Sequence, residues 1–82
     1  MTITRLDLTG LKCPLPTLLT RKALKRLSPG DRLEVHCTDP MAAIDIPVAV
    51  QQSGDHLDRS EHSGELIIFV ISKRNASIGN PD

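Results

Sequence analysis

The sequence predicts an α/β fold, a two-layer sandwich in which a mixed four-stranded sheet carries two helices on one face. Three observations support this prediction. Apolar residues alternate with polar ones in two short segments, as they do in half-buried strands. They recur at helical spacings in two longer segments, and an unbroken apolar run near the end is typical of a buried strand. With 82 residues, 39% of them hydrophobic, the chain has material for one core.

The first strand and the first helix flank a short turn. Residues 3–9 place Leu6 and Leu8 on one side and Asp7 on the other, which predicts a short half-buried strand. Residues 10–13 follow as a turn, and from Pro14 apolar residues recur at helical spacing while basic residues occupy the outer face. The apolar positions of this helix are Leu15, Leu18, Leu19, Ala23, Leu24 and Leu27, and the helix ends at Ser28-Pro29-Gly30.

A second strand and a second helix come next. Residues 33–37 alternate again between apolar and polar side chains. Asp39 is expected to cap the helix, with Pro40 at the first helical position. Pro47 lies inside the helical segment and predicts a kink, or a first turn separate from the rest. The apolar residues of this helix include Met41, Ile44 and Val48, and Ser53-Gly54 closes it.

The last two segments complete the order βαβαββ. Residues 57–62 form a polar strand, and residues 66–71 form the unbroken apolar strand. The first two strands are expected to be parallel, with a right-handed crossover, and the last two to form an antiparallel hairpin. The apolar strand belongs in the middle of the sheet and the polar strand at an edge. Residues 1–74 then form a single domain, and residues 75–82 a flexible tail.

Composition excludes several classes of function. No apolar stretch approaches the roughly 20 residues of a membrane span. The N-terminus lacks the layout of a signal peptide, so we expect a cytoplasmic protein without a membrane partner. Phe69 is the one aromatic residue, which argues against direct binding of nucleic-acid bases by stacking. Two cysteines are too few for a disulfide scaffold and indicate thiol chemistry, a core position, or one of each.

Cys13 is the strongest candidate for a chemical role. The pattern places it at the N-cap of the first helix, after a parallel strand, at the sheet edge where reactive groups collect in α/β proteins. Free N–H groups and positive partial charge at a helix start favour a thiolate, and the N–H groups of Leu15 and Thr17 are the candidates to face the sulfur. Pro14 and Pro16 both fit a first helical turn and fix how the backbone leaves the cysteine.

Basic residues concentrate in the first part of the chain. Seven basic and two acidic residues lie at positions 1–32, against three basic and eight acidic residues afterwards. The basic helix face either docks an acidic partner, contacts RNA phosphates, or is simply solvated. Lys12 and Arg21 are also expected to lower the pKa of Cys13. The candidate docking residues are Lys12, Arg21, Lys22 and Lys25, with Arg26 on the same helix face.

The segment around Cys13 resembles a known family. Leu-Thr-Gly-Leu-Lys-Cys-Pro-Leu-Pro at residues 8–16 is similar to the Gly-Leu-x-Cys-Pro-x-Pro signature of TusA/SirA-like sulfur carriers, and the likeness runs from about residue 6 to residue 73. Ile44 departs from the family, which often has a basic or polar residue there. Further matches are Ser-Pro-Gly-Asp at 28–31, Thr-Asp-Pro at 38–40 and Asp-Ile-Pro at 45–47.

The resemblance implies a βαβαββ sandwich and a sulfur carried covalently on Cys13 as a persulfide, with no other cofactor. It implies a sulfurtransferase component that works with partners rather than a stand-alone catalyst. A cysteine desulfurase or a rhodanese-like protein is the expected sulfur donor, and another protein the acceptor. Two other functions stay open: a non-covalent regulatory or RNA-binding module, and a dithiol redox protein that uses Cys13 and Cys37.

The remaining chemical side chains have plainer interpretations. Cys37 shares its strand face with apolar residues and is expected in the core, although a resolving thiol is the alternative. The histidines show no metal-ligand spacing and are expected at the surface. Capping explains Asp39, and a catalytic pair with Asp45 is not favoured because no acid–base partner is evident. The three histidines are His36, His56 and His62.

Overall fold

A computed structural model describes residues 3–74 and arranges them as a four-stranded sheet with two helices. The predicted order βαβαββ is confirmed. The tail predicted at residues 75–82 lies outside the described residues. The elements are β1 Ile3–Leu8, α1 Leu15–Lys25, β2 Arg32–Cys37, α2 Ala42–Ser53, β3 His56–Ser63 and β4 Leu66–Ser72.

The sheet has the predicted topology. Its strand order is β1-β2-β4-β3, with β1 parallel to β2 and with β4 antiparallel to both of its neighbours. The most apolar strand, β4, is therefore central, and the polar strand β3 is at an edge, as its side chains indicated. Leu8 pairs with Cys37 at the carboxyl ends of β1 and β2. Both helices also begin at this edge, because each one follows a strand that ends there.

One face of the sheet forms the core with the helices. Alternate residues of β2 and β4 are buried, so their side chains point to the same face as Leu8 of β1. The helices close this layer through Leu24 of α1 and Ile46 and Val50 of α2. The buried strand residues are Leu33, Val35, Cys37, Ile67, Phe69 and Ile71.

The side of helix α1 that faces the core differs from the side that the positions of its leucines suggest. Its buried residues are Pro16, Thr20 and Leu24, which are spaced four apart along one face. Leu15 and Leu18, which the sequence grouped with the apolar face, are instead 46% and 55% exposed. The expectation that all six apolar positions of this helix face the core is therefore wrong for these two.

Helix α2 differs from its prediction at its beginning. Its N-cap is Met41 and the helix starts at Ala42, so Asp39 and Pro40 lie in a preceding turn. The helix continues through Pro47 to Ser53, which rules out a separate first turn. It ends as predicted, because Gly54 has a φ of 84°, a left-handed conformation that glycine adopts without the penalty of a Cβ atom.

Candidate functional site

The loop that carries Cys13 is fixed to the neighbouring loop after β2. The backbone N–H of Gly10 donates to Oγ1 of Thr38 at 2.9 Å. The backbone N–H of Cys13 donates to Oδ2 of Asp39 at 2.5 Å. Two side chains of the Thr-Asp-Pro segment thus hold both ends of the loop, since each bond fixes one backbone group. Cys13 itself is exposed.

Cys13 lies one residue earlier relative to the helix than the sequence predicts. Pro14 occupies the N-cap of α1, and Pro16 lies in its first turn. The Cys13–Pro14 peptide bond is cis. The N–H of Leu15 donates to the carbonyl of Lys12 at 2.9 Å, so it does not face the sulfur as expected. The thiol therefore precedes the helix instead of capping it.

Two carboxylates, rather than helix N–H groups, make up the polar surroundings of the sulfur. The thiol of Cys13 donates to Oδ2 of Asp45 at 3.7 Å, from the loop before α1 to the first turn of α2. Partial desolvation, then the negative charges of Asp45 and Asp39, raise the pKa of the Cys13 thiol. The expectation of a lowered pKa is therefore wrong in direction, because a nearby anion disfavours the thiolate.

The basic residues of the predicted docking face remain at the surface. Lys12, Arg21, Lys22 and Lys25 are all exposed. Arg21 donates to Oε1 of Gln52 at 2.6 Å, near the C-terminal end of α2. This contact directs its guanidinium toward the opposite end of α2 from the first turn that holds Asp45. The structure thus gives no support to Arg21 as a cation beside the thiol.

An exposed apolar face surrounds the beginning of the two helices. Leu15 and Leu18 belong to α1, and Met41, Ile44 and Val48 belong to the start and outer side of α2. Each of these side chains is between 46% and 61% exposed. We call these five residues the apolar helix face. Leu15 lies two residues after Cys13, and Ile44 directly precedes Asp45, which accepts from the thiol, so two members of the apolar helix face are sequence neighbours of the site.

Sequence reasoning missed this face, although a signal was present. Each helix carries more large apolar residues than one core-facing stripe needs. In α2 the buried positions are Ala42, Ile46, Ala49 and Val50, which leaves Ile44 and Val48 on another side. A group of several exposed apolar residues outside the core stripe is an indication of a contact surface.

Cys37 is confirmed as a core cysteine. It is 0% exposed, and its sulfur lies 3.7 Å from the carbonyl oxygen of Ile67 on β4. Burial, and then the charge of Asp39, raise the pKa of its thiol. Both cysteines are free thiols. A dithiol mechanism requires Cys37 to reach Cys13 from inside the core, and the native packing opposes this.

A cavity at the same sheet edge does not include the thiol. Its volume is about 540 Å³, and its lining includes Lys12, Thr38, Asp39, His62 and Glu65 but not Cys13. The thiol faces the surface instead. Within residues 3–74 no three side chains of His, Cys, Asp or Glu converge as a metal site.

Two of the histidines contact carboxylates. His36 lies 2.5 Å from Glu34, and His56 lies 3.6 Å from Asp58. Phe69 is 1% exposed, so it offers no stacking surface for a nucleic-acid base. Neither helix of the described part of the chain has the length and apolar content needed to cross a membrane.

The fold and the site define a small α/β protein that presents one accessible thiol on a fixed loop. Comparison of sequences gives the family. The family described as Sulfurtransferase TusA matches residues 4–73. The chain is 40% identical over 68 residues to the sulfur carrier protein TusA of Allochromatium vinosum, covering 83% of this chain and 90% of that protein. The chain belongs to the TusA family, and the resemblance of its motifs is confirmed.

A second relative and a solved structure agree with this assignment. The sulfur carrier protein TusA of Pseudomonas paraeruginosa is 35% identical over 69 residues, which cover 83% of this chain and 87% of that protein. The crystal structure of the SirA-like protein from Desulfitobacterium hafniense superposes with a TM-score of 0.75. That match covers 92% of this chain and all of the other at 21% identity, and it shows the shared fold.

Proposed function

We propose that this chain is a sulfur carrier that accepts one sulfur atom as a persulfide on Cys13 and passes it to an acceptor protein. Relatives named sulfur carrier proteins support the carrier role. The observation that carries the finer proposal is the exposure of Cys13 on a loop held by Thr38 and Asp39, while Cys37 is fully buried. One thiol is thus available for transfer.

The proposed reaction is a thiol–persulfide exchange. The thiolate of Cys13 attacks the outer sulfur of a donor persulfide, and the sulfur–sulfur bond of the donor breaks. The donor leaves as a thiolate and receives the proton that Cys13 gave up, so no oxidant, reductant or cofactor is consumed. The carried sulfur is substrate. An acceptor then attacks the outer sulfur of the Cys13 persulfide in the same way, and Cys13 leaves as the thiolate.

An accessible thiol outside a cavity favours chemistry that is completed in a partner's site. In the described part of the chain, the cavity at this sheet edge is not lined by Cys13. A donor such as a cysteine desulfurase or a rhodanese-like protein, and a downstream acceptor, therefore supply the surrounding groups. The apolar helix face is suited to such contacts, because a partner that covers exposed apolar side chains removes them from water, which stabilises the complex.

Mass spectrometry tests the carrier function. The chain is incubated with a cysteine desulfurase and L-cysteine, without reductant, and its intact mass is measured. We expect an addition of one sulfur atom that Cys13→Ser abolishes and Cys37→Ala retains. Removal of the added mass by dithiothreitol distinguishes a persulfide from other adducts. An adduct that survives Cys13→Ser contradicts the proposal.

A further inference from the structure

Among the residues that the structure describes, Asp45 is the side chain in hydrogen-bond contact with the sulfur of Cys13. Its Oδ2 lies 3.7 Å from Sγ, and it belongs to the first turn of α2, whereas Cys13 belongs to the loop before α1. The contact thus joins two elements that are 32 positions apart in sequence. Asp45 is half-buried.

We infer that Asp45 is a positioning residue that holds the empty carrier's sulfur as a neutral, hydrogen-bonded thiol, and that the sulfur-exchanging partner releases it by placing a cationic side chain against this carboxylate. The inference rests on the proposed function in one respect, that Cys13 is the residue that carries sulfur.

Four segments carry the charged groups that are nearest to the thiol or were expected beside it. Asp45 comes from α2, and Asp39 comes from the loop after β2, where it binds the backbone N–H of Cys13. Lys12 is the neighbour of Cys13 in its own loop and is exposed. Arg21 of helix α1 does not compensate these charges, because its guanidinium is bound to Gln52 near the C-terminal end of α2. Within residues 3–74 neither Asp39 nor Asp45 forms an ion pair with a basic side chain, so two uncompensated negative charges act on the sulfur.

These charges determine the state of the free carrier. Desolvation, Asp45 and Asp39 together raise the pKa of the Cys13 thiol, so at neutral pH the neutral form prevails. The thiolate is the nucleophile and the neutral thiol is not. The free chain therefore reacts slowly with small electrophiles and disulfides, and its sulfur stays unmodified between transfers.

A partner's cation reverses this effect. A Lys or Arg side chain opposite Asp45 compensates the carboxylate, and water excluded from the contact makes the compensation stronger. The thiolate then forms inside the complex, where the donor persulfide is present. Ile44 of the apolar helix face directly precedes Asp45 and is 61% exposed, so the partner surface is expected to offer apolar side chains beside its basic one.

The pH profile of alkylation tests the state of the thiol. Iodoacetamide reacts with the full chain at a series of pH values, and the midpoint of the rate reports the thiol pKa. We expect the wild-type midpoint to lie above that of the same chain unfolded in urea. For Asp45→Asn we expect a lower midpoint and a rate at pH 7 raised several-fold, because the variant removes a negative charge that disfavours the thiolate. Asp45→Glu, which keeps the charge, stays near wild type.

The matched control is Glu61→Gln, which removes a carboxylate from an exposed position on β3 where Glu61 pairs with Arg59. It leaves the midpoint unchanged. An Asp45→Asn midpoint equal to or above wild type overturns the inference. If Asp45→Asn does not fold, its Cys37 also reacts. The wild-type profile then decides alone, and a native midpoint below the midpoint of the chain in urea overturns the inference.

Sulfur loading tests the cation of the partner. Asp45→Lys is expected to take up sulfur faster than wild type from inorganic polysulfide and more slowly from a cysteine desulfurase with L-cysteine, because like charges then meet in the complex. Faster loading from both donors overturns the partner part of the inference. If wild-type Cys13 takes sulfur from neither donor, the proposed function fails, while the alkylation profile still decides the role of Asp45.

Discussion

The backbone nitrogen of Cys13 lies 2.5 Å from Oδ2 of Asp39, across 26 positions of sequence. The other carboxylate oxygen of Asp39 accepts from the N–H of Met41 at 3.2 Å. One side chain therefore fixes the cysteine loop and the turn before α2 at the same time. Because each oxygen accepts one bond, the two segments share a single anchor.

This double role predicts the effect of Asp39→Asn. An amide has one oxygen where the carboxylate has two, so the variant keeps one of the two bonds and loses the other. We expect the free energy of unfolding to fall by about 1 kcal/mol, the usual contribution of one hydrogen bond, measured by urea denaturation. Thr38→Val, which removes the acceptor for Gly10 alone, serves as the comparison. Unchanged stability in Asp39→Asn contradicts the anchor.

The two thiols are expected to differ sharply in access. Ellman's reagent should modify one thiol of the native chain and two thiols in urea, because Cys37 is 0% exposed. Cys37→Ala should lower the free energy of unfolding by about 1 kcal/mol through lost packing, and it should leave sulfur loading unchanged. Rapid modification of two thiols in the native state argues against the buried position and reopens the dithiol alternative.

Much of the fold was predictable from local pattern. Period-two alternation identified β1 and β2, and the apolar run identified β4 as the central strand. These features depend on which faces are buried, and the spacing of apolar residues records that directly. The position of Cys13 between β1 and α1 was predictable as well, because the cysteine follows a strand pattern and precedes a helix start that is marked by proline.

The surroundings of Cys13 were not predictable from the same pattern. Its contact with Asp45 joins residues 32 positions apart, and spacing alone does not tell which loops meet. The positive partial charge at a helix start favours a thiolate and predicts a lowered pKa for Cys13. Desolvation and the carboxylates of Asp45 and Asp39 raise this pKa instead. The apolar helix face was missed for a related reason, since periodicity does not distinguish two adjacent apolar stripes when a helix has both.

The apolar helix face predicts a variant that folds normally and transfers poorly. Ile44 is 61% exposed, so Ile44→Glu should change the free energy of unfolding by less than about 0.5 kcal/mol. Sulfur uptake from a cysteine desulfurase should slow, because a buried glutamate is costly in an apolar contact. Ile3→Glu is the control, since Ile3 is also 61% exposed but begins β1 at the opposite sheet edge. Equal loading rates for both variants refute the docking face.

The core contains a buried hydroxyl group whose removal is expected to stabilise the fold. Thr20 is 0% exposed, and its Oγ1 has no hydrogen-bond partner among the described residues. Thr20→Val replaces the hydroxyl by a methyl group of similar size, so we expect stabilisation by about 1 kcal/mol in urea denaturation. Thr20→Ser keeps the hydroxyl and loses the methyl group, and it should destabilise the chain. Destabilisation by valine would show that the hydroxyl is satisfied.

Glu34 is expected to make stability fall in acid. The hydrogen bond from His36, at 2.5 Å, and then the charge of Arg5, 3.5 Å away, hold the pKa of Glu34 below its ordinary value of 4.5. A carboxyl group with a lower pKa in the folded than in the unfolded chain stabilises the fold at pH values above the unfolded pKa. This contribution is lost as the pH falls through the folded pKa.

Urea denaturation between pH 6 and about pH 3 measures this dependence. Glu34→Gln cannot titrate, so its stability should fall less steeply below pH 4.5 than that of wild type. Some slope remains, because hydrogen bonds from Thr9 also lower the pKa of Asp7. Glu65→Gln is the matched control for loss of one carboxylate, since Glu65 lies at the β3–β4 turn and forms no ion pair among the described residues. A Glu34→Gln profile parallel to wild type in this window would exclude Glu34 as a source of the acid sensitivity.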